Sequence, residues 1–525
     1  MLTKLHVKNY KAFTDSSVKI RPITVLLGAN SVGKSSIIQL LLTLQQTAQE
    51  DKSSYKSALK IYGSSVNLGS TENLFHKKNI EEPVEIEISI RNSMFLSKQK
   101  EAIKKLANDI QAYINIFPIL GFNKLRGKEL HTKAEIIDYI KEIKEIINKE
   151  HVKSYRDRFY YYNLRASSIT LGNLIDSTSK QLDDFFDFLY SMTQLDSDEF
   201  TYNYKVSFVD KTRLKIVGLS IRNSNKTIVS ITNTGNDKYT FSSDFVKLSN
   251  DEDIGIESYF KELSTLFSCI IEPKEVSTEK INNIIFPYLY EYAASAIHCL
   301  LAEFETSKMN YVSPLRAHPK RYYMLDKAKV ALSLDTLDGD AIAEILKENA
   351  SLKNSVNKWL SKFGFSVDVE TLKEVIHNVK IKQNGLSLDI TDVGFGISQV
   401  LPVIIQGFLS PNDSMTIVEQ PEIHLHPKMQ AELADLFIEV AKKKKKQIII
   451  ETHSEYLLKR LRRRISEGNI PPEDVSICLF HPQIRENGAY IENLDIAQKG
   501  FFEWPEDFYD GELSKDITEF LKNQI

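Results

Sequence analysis

Gly28-Ala-Asn-Ser-Val-Gly33-Lys34-Ser35 fits the pattern GxxxxGK[ST] at every fixed position. No other stretch constrains the fold as tightly, because such a loop needs a buried strand before it and a helix after it. Both flanks are legible. Thr24–Leu27 is a short apolar run that reads as a strand. Ser35–Gln46 places Ile37, Ile38, Leu41, Leu42 and Leu44 on one helical face. Gly28 and Gly33 let backbone N–H groups turn inward around phosphate oxygens. The helix N-terminus adds partial positive charge at the same place. Asn30, Ser31 and Ser36 belong to the same phosphate cradle. Lys34 would reach the β and γ phosphates of ATP. The Ser35 hydroxyl would ligate Mg2+, which takes few protein ligands and keeps waters.

Two further segments carry chemistry. Thr416-Ile-Val-Glu419 is an apolar strand ending in an acid, which suits an anchor for Mg2+. The continuation Gln420-Pro-Glu-Ile-His-Leu-His-Pro427 is far more specific than the acid alone. Further on, Gln447-Ile-Ile-Ile-Glu-Thr-His453-Ser454 is a second buried strand ending in a histidine. A lone histidine is usually structural, but one at the end of a core strand beside a phosphate loop suits sensing of a γ-phosphate. The pair His424 and His426 does not make a zinc site, since two ligands are too few.

Along the chain, residues 1–27 read as strands, and Val84–Ile90 alternates as another. Residues 93–200 are charged and helical, a helical insertion without sustained heptads. Residues 201–245 return to strand alternation and are expected to continue an antiparallel sheet. Residues 253–305 read as a second helical insertion. A helix near Asp340–Glu348 and a strand pair around Val367–Ile390 follow, ending at the turn Thr391–Gly396. Short apolar strands then alternate with helices, which indicates a parallel sheet covered on both faces. The run Lys442–Lys446 reads as a solvated loop, with a phosphate-contacting patch as the alternative.

A chain of 525 residues, 42% hydrophobic, has ample material for roughly 2–4 domains. A formal net charge of −3 demands neither nucleic acid nor an anionic membrane. The three cysteines form no CxxC pair, which fits a reducing cytoplasm. No stretch approaches the ~20 apolar residues of a membrane span. A cytoplasmic location without a membrane partner is therefore expected.

Gly28–Ser36, Glu419–Pro427 and Thr452–Ser454 resemble the Walker A, Walker B with D-loop, and switch histidine of ABC-type ATPases. The subgroup resembled is the overcoming-lysogenization-defect ATPases, within the AAA family, and especially the branch without a TOPRIM nuclease that includes the Septu anti-phage ATPase subunit. Asn9-Tyr-Lys11-Ala-Phe13 resembles that group's N-terminal element, whose basic residue, here Lys11, lies near the nucleotide. Tyr311–Arg316 and Asp392-Val-Gly-Phe-Gly-Ile-Ser-Gln-Val-Leu-Pro402 resemble two further elements of the branch. The resemblance implies an α/β fold: a P-loop ABC-type ATPase head with a mixed sheet flanked by helices and an antiparallel β subdomain, plus helical insertions. The head would be built from residues 1–92 and 306–525, using both ends of the chain.

Two departures from the ABC pattern matter. The Walker B acid is followed there by a glutamate that activates water, and here by Gln420; Glu422, or a water positioned by His453, would have to substitute. The ABC signature is replaced by Asp392–Ser398, in which Gly394, Gly396 and Ser398 supply N–H and hydroxyl donors to a nucleotide on a second subunit. The resemblance implies a slow ATPase using ATP and Mg2+, at least a homodimer, and a separate nuclease effector in bacterial anti-phage defence. The alternative is a DNA-maintenance ATPase that binds DNA directly. The stretch after His453 is too short for the TOPRIM nuclease of fuller relatives and shows no DxD cluster.

Overall fold

The structure is a computed structural model and describes residues 1–49, 56–116, 133–149, 174, 177–235, 238–246, 259–261, 263–271, 285–324, 341–373, 376–482, 488–502 and 522. The expected helix start at Asp340, the tail from Trp504 and parts of both insertions lie outside them.

Strands β1 (Leu2–Tyr10), β2 (Phe13–Lys19) and β3 (Ile23–Gly28) precede helix α1 (Lys34–Ala48). Then come β4 (Val84–Arg91), α2 (Ser93–Ile116), α3 (Lys133–Lys149) and α4 (Ser179–Thr193). The strands β5 (Glu199–Phe208), β6 (Leu214–Asn223), β7 (Lys226–Asn233) and β8 (Tyr239–Ser242) lead to α5 (Ile285–Glu303). After β9 (Met309–Val312) and β10 (Tyr323–Met324) follow α6 (Ala341–Glu348), α7 (Ala350–Leu360), β11 (Phe365–Lys373), β12 (Ile376–Gln383) and β13 (Leu386–Asp389). The last segment holds α8 (Phe395–Leu409), β14 (Met415–Glu419), α9 (Pro427–Lys444), β15 (Gln447–Glu451), α10 (Glu455–Ser466), β16 (Val475–His481) and β17 (Tyr490–Leu494).

The fold is mixed α/β. A six-stranded sheet runs β17-β16-β3-β15-β14-β9, parallel except where β17 meets β16. Its inner strands β3, β14, β15 and β16 are buried on both faces, whereas the edge strand β17 is largely uncovered. Leu26, Ile417, Ile449 and Phe480 face the core that holds α1. Val25, Leu27, Val418, Ile450 and Ile477 face a second core shared with α8, α9 and α10. Such strands read as continuous apolar runs for this reason.

The second sheet is antiparallel, in the order β2-β1-β4-β5-β6-β7-β8. Its strands alternate, with Val84, Ile86, Ile88, Tyr202, Tyr204, Ile216 and Ile231 turned into the first core. The segment from 199 to 242 therefore adds its strands to the sheet begun by β1, β2 and β4. Buried residues of α2–α5, including Ile103, Ile140, Phe185 and Leu289, pack into the same core. Between Val367 and Ile390 the structure has three antiparallel strands rather than a pair, and β12 also takes β10 as a neighbour.

The two sheets are stitched at the chain's start. The Gln447 side-chain amide accepts from Leu2 N at 3.0 Å and donates to Leu2 O at 2.6 Å, a closed pair of bonds between β1 and β15. The lysine run meets the solvated-loop expectation only in part: Lys442, Lys443 and Lys445 are exposed, but most of the run is helix. Helix α9 extends through Lys444, Lys445 ends it with φ of 49°, and Lys446 is buried, donating to Gly407 O at 2.8 Å.

Candidate functional site

Strand β3 runs into α1 through a loop whose backbone takes left-handed conformations at Ser31 (φ 64°) and Gly33 (φ 104°). Gly33 must be glycine on two counts. Its φ disfavours a side chain, and a Cβ there would lie 2.5 Å from Phe13 Cζ. At Gly28 a Cβ would meet Phe480 O at 2.5 Å. The loop is thus wedged between β2 and β16, and α1 begins at Lys34. Tyr10 Oη donates to Ser36 O at 3.0 Å, tying β1 to the first turn of that helix.

The Lys34 side chain lies folded under the loop, buried, with Nζ donating to Gly28 O at 2.9 Å and Ala29 O at 2.7 Å. Its ammonium is 3.7 Å from Glu451 Oε1. Burial pulls the Lys34 pKa down, against the pull of Glu451 and Glu419 in the other direction. Around this amine a cavity of about 400 Å³ opens, bordered by Asn30, Ser31, Gly33, Ser35 and Ser36 from the loop. Its far wall is Glu419, Gln420 and Glu451, with Gln39 and Pro314 at the sides.

The far wall is set by strand register. β14 and β15 are parallel neighbours whose last residues, Glu419 and Glu451, are partners across the ladder. The Gln420 N–H continues that ladder by donating to Glu451 O at 2.7 Å. Two carboxylates are thereby brought side by side in a buried setting. Burial, and then contact with Glu419, raises the Glu451 pKa, while Lys34 opposes the shift. Tyr311, from β9, donates its hydroxyl to Glu419 Oε1 at 2.6 Å. Burial first, and Glu419 second, pushes that phenol well above the tyrosine range.

The turn after β14 is held from outside by Arg316. Its Nη2 donates to Glu419 O at 2.9 Å and to Gln420 O at 3.2 Å, and Gln420 adopts φ of 43°. Glu422, two residues on, does not border the cavity. Its Oε1 accepts from His453 N at 2.6 Å, and burial raises its pKa. The ring of His453 is drawn below the ordinary histidine value by burial and then by Lys34, and its buried Nε2 has no hydrogen-bond partner. His426 caps α9, its Nδ1 accepting from Lys428 N at 3.2 Å, which gives this histidine a structural task.

Lys11 stands one step behind the cavity. Its Nζ donates to the side-chain oxygen of Gln39, which borders the space, and burial lowers its pKa to about 8. Asp392, Gly394, Gly396 and Ser398 are not part of this wall. Asp392 and Gly394 are exposed, and Asp392 is paired with Arg321 at 2.7 Å. Ser398 Oγ donates to Phe395 O at 2.7 Å inside the first turn of α8. Gly396 packs against the loop after β14, where a Cβ would fall 2.7 Å from His424 O.

The arrangement suits a magnesium-bound polyphosphate. Backbone N–H groups and a helix N-terminus supply anion affinity, and Lys34 supplies the cation. Ser35 and Glu419 border one space and carry oxygens of the kind that could hold Mg2+. The buried Glu451 Oε2 and His453 Nε2 lack partners. Such orphan atoms are costly unless something else completes them. Among the described residues no cluster of three or more His, Cys, Asp or Glu forms a separate metal site. No helix among them is long and apolar enough to cross a membrane.

The sequence reading missed Glu451, Tyr311, Arg316 and Gln39 as site residues. Glu451 was detectable in principle: like Glu419 it is an acid closing a five-residue apolar strand.

A family model described as AAA ATPase domain matches residues 1–458. No curated protein matches the chain. Among solved structures the chain is similar to the SMC head domain from Thermotoga maritima, at 9% identity with a TM-score of 0.35, over 94% of this chain and 98% of that one. It is similar to an SmcHead bound to the C-winged helix domain of ScpA, at 12% identity and TM-score 0.37, over 94% and 98%. An Smc head domain with an extended coiled coil, from Pyrococcus furiosus, matches at 10% identity and TM-score 0.34, over 99% of each chain.

Proposed function

The chain belongs to the AAA ATPase domain family, whose activity is ATP hydrolysis, and from that premise we propose that it is a slow, ATP-dependent dimerising switch. In this reading Gly28–Ser36 wraps the phosphates, Lys34 neutralises the β and γ groups, Ser35 and Glu419 hold Mg2+, and His453 faces the γ-phosphate. The closed dimer controls a separate effector, a nuclease, in bacterial anti-phage defence. Gln420 is an amide where ABC-type enzymes place the acid that takes the water's proton; general-base action is worth ~10²–10⁴ in rate, so the speed of turnover depends on what other group of the wall takes that proton.

One observation supports the dimer above others. The segment 392–398 is glycine-bearing, opens a helix and is partly exposed, yet it contributes nothing to its own chain's cavity. Leu315, 79% exposed, and Phe395, 39% exposed, are apolar side chains left uncovered on this part of the surface. A second copy, related by two-fold symmetry, would use both features at once.

Light scattering at micromolar protein, with Mg2+ and a slowly hydrolysed ATP analogue, tests the dimer. The expected mass is twice that of the chain for the wild type and unchanged for Lys34→Ala. A wild-type monomer under these conditions removes the dimer. The defence role is tested by phage challenge of cells carrying the chain with its neighbouring genes. Protection that survives Lys34→Ala would remove the ATP switch from it.

A further inference from the structure

Hydrolysis is speeded by a group that takes a proton from the attacking water, and position 420 offers only an amide, which can orient water but not take its proton. One strand away, β15 ends in Glu451, whose Cα partner across the ladder is Glu419. Glu451 is 4% exposed and borders the same cavity as Lys34, Ser35 and Gln420. Its Oε1 lies 3.7 Å from Lys34 Nζ, and its buried Oε2 has no hydrogen-bond partner. The competing acid differs in place: Glu422 accepts from His453 N with one oxygen, keeps its buried Oε2 without a partner as Glu451 does, and lies off the cavity wall.

We propose that Glu451 is the carboxylate that orients the attacking water and receives its proton, acting from β15 in place of an acid at position 420 of β14. The proposal deepens the ATPase reading and rests on it. The water oxygen forms a bond to the γ-phosphorus. The bond between that phosphorus and the β–γ bridging oxygen breaks, and its electron pair leaves on ADP. The water proton passes to Glu451 and is released after phosphate departs. The acid has in effect moved sideways by one strand, a move the parallel register of β14 and β15 makes available. Gln420, beside it on the same wall, is left as a hydrogen-bonding group.

The test compares full-length wild type, Glu451→Gln, Gln420→Glu and the double variant. Single-turnover hydrolysis is measured together with calorimetric binding of a slowly hydrolysed ATP analogue. Glu451→Gln is expected to lower the hydrolysis rate by ~10²-fold or more while analogue affinity stays within about threefold. Adding Gln420→Glu to it is expected to recover at least about tenfold, because a base returns to the cavity wall. Three results overturn the proposal: Glu451→Gln hydrolysing within about threefold of wild type, a double variant no faster than Glu451→Gln, or loss of analogue binding in Glu451→Gln. The last would make Glu451 an anchor for Lys34 instead. A wild-type chain that binds the analogue but never hydrolyses ATP would overturn the ATPase reading itself, and this proposal with it.

Discussion

Replacing Arg316 with alanine isolates the support behind the cavity's far wall. Arg316 is buried, and one terminal nitrogen donates to the carbonyls of both Glu419 and Gln420, at 2.9 and 3.2 Å. Hydrogen bonds from a charged donor are worth about 1.5–3 kcal/mol each, the longer of these less. Against that gain, Nε and Nη1 are buried without partners, and burial lowers the guanidinium pKa to about 10. The net contribution is therefore about 2 kcal/mol, nearer one good bond than two. The loss falls on a local turn, where Gln420 already holds a left-handed φ of 43°. A free-energy change of this size shifts a two-state turn by about 30-fold. Arg316→Ala should thus cut single-turnover hydrolysis by roughly 30-fold, with misplacement of the wall as the cause. Analogue binding should weaken far less, since the phosphate loop is untouched. Arg316→Lys should recover only part of the rate, because the shorter lysine side chain does not carry its ammonium to the place of Nη2. Single-turnover rates with calorimetric binding on all three proteins decide the matter. A rate for Arg316→Ala within about threefold of wild type would show that Arg316 does not hold the wall in place, as would full recovery by lysine.

Two further perturbations follow from the same geometry. Gly33→Ala forces a Cβ to 2.5 Å from Phe13 Cζ at a φ of 104°, so it should cost about 1–3 kcal/mol and abolish analogue binding; an unchanged thermal midpoint would contradict this. His453 has a folded pKa below its unfolded value, from burial and then Lys34, so the folded state binds fewer protons there. The stability it contributes is fully present above about pH 6.5 and is lost as the pH falls through the folded value. His453→Gln should flatten the fall in thermal midpoint between about pH 7 and pH 5, and an unaltered slope would refute the assignment.

The phosphate loop was legible because its whole logic is local: strand, glycine turns, lysine and helix lie within consecutive residues. The apolar strands β14 and β15 were legible for a related reason, since burial on both faces leaves a continuous run. Glu451 was not, because its importance depends on the register that sets it beside Glu419, and register is a tertiary property. Tyr311 and Arg316 were quoted only as part of a resemblance. Their task appears when β9 pairs with β14 and carries both toward Glu419. The lysine run was half legible: Lys442, Lys443 and Lys445 are exposed as composition suggests, but the helix continues through Lys444, and the turn at Lys445 directs Lys446 inward to Gly407 O. Glu422, the alternative base in the sequence, turns one carboxylate oxygen to the His453 N–H and lies off the cavity wall, a placement that only the tertiary fold sets.

Every role assigned above depends on ATP binding in the cavity around Lys34. Calorimetric titration of wild type and Lys34→Ala with a slowly hydrolysed ATP analogue and Mg2+ tests it most directly. Charge-assisted bonds to two phosphates would be lost, about 3–6 kcal/mol together. One analogue per wild-type chain is expected, with affinity lowered by at least about 10²-fold in Lys34→Ala and the same far-ultraviolet circular dichroism in both. Equal affinity in the two proteins would contradict it.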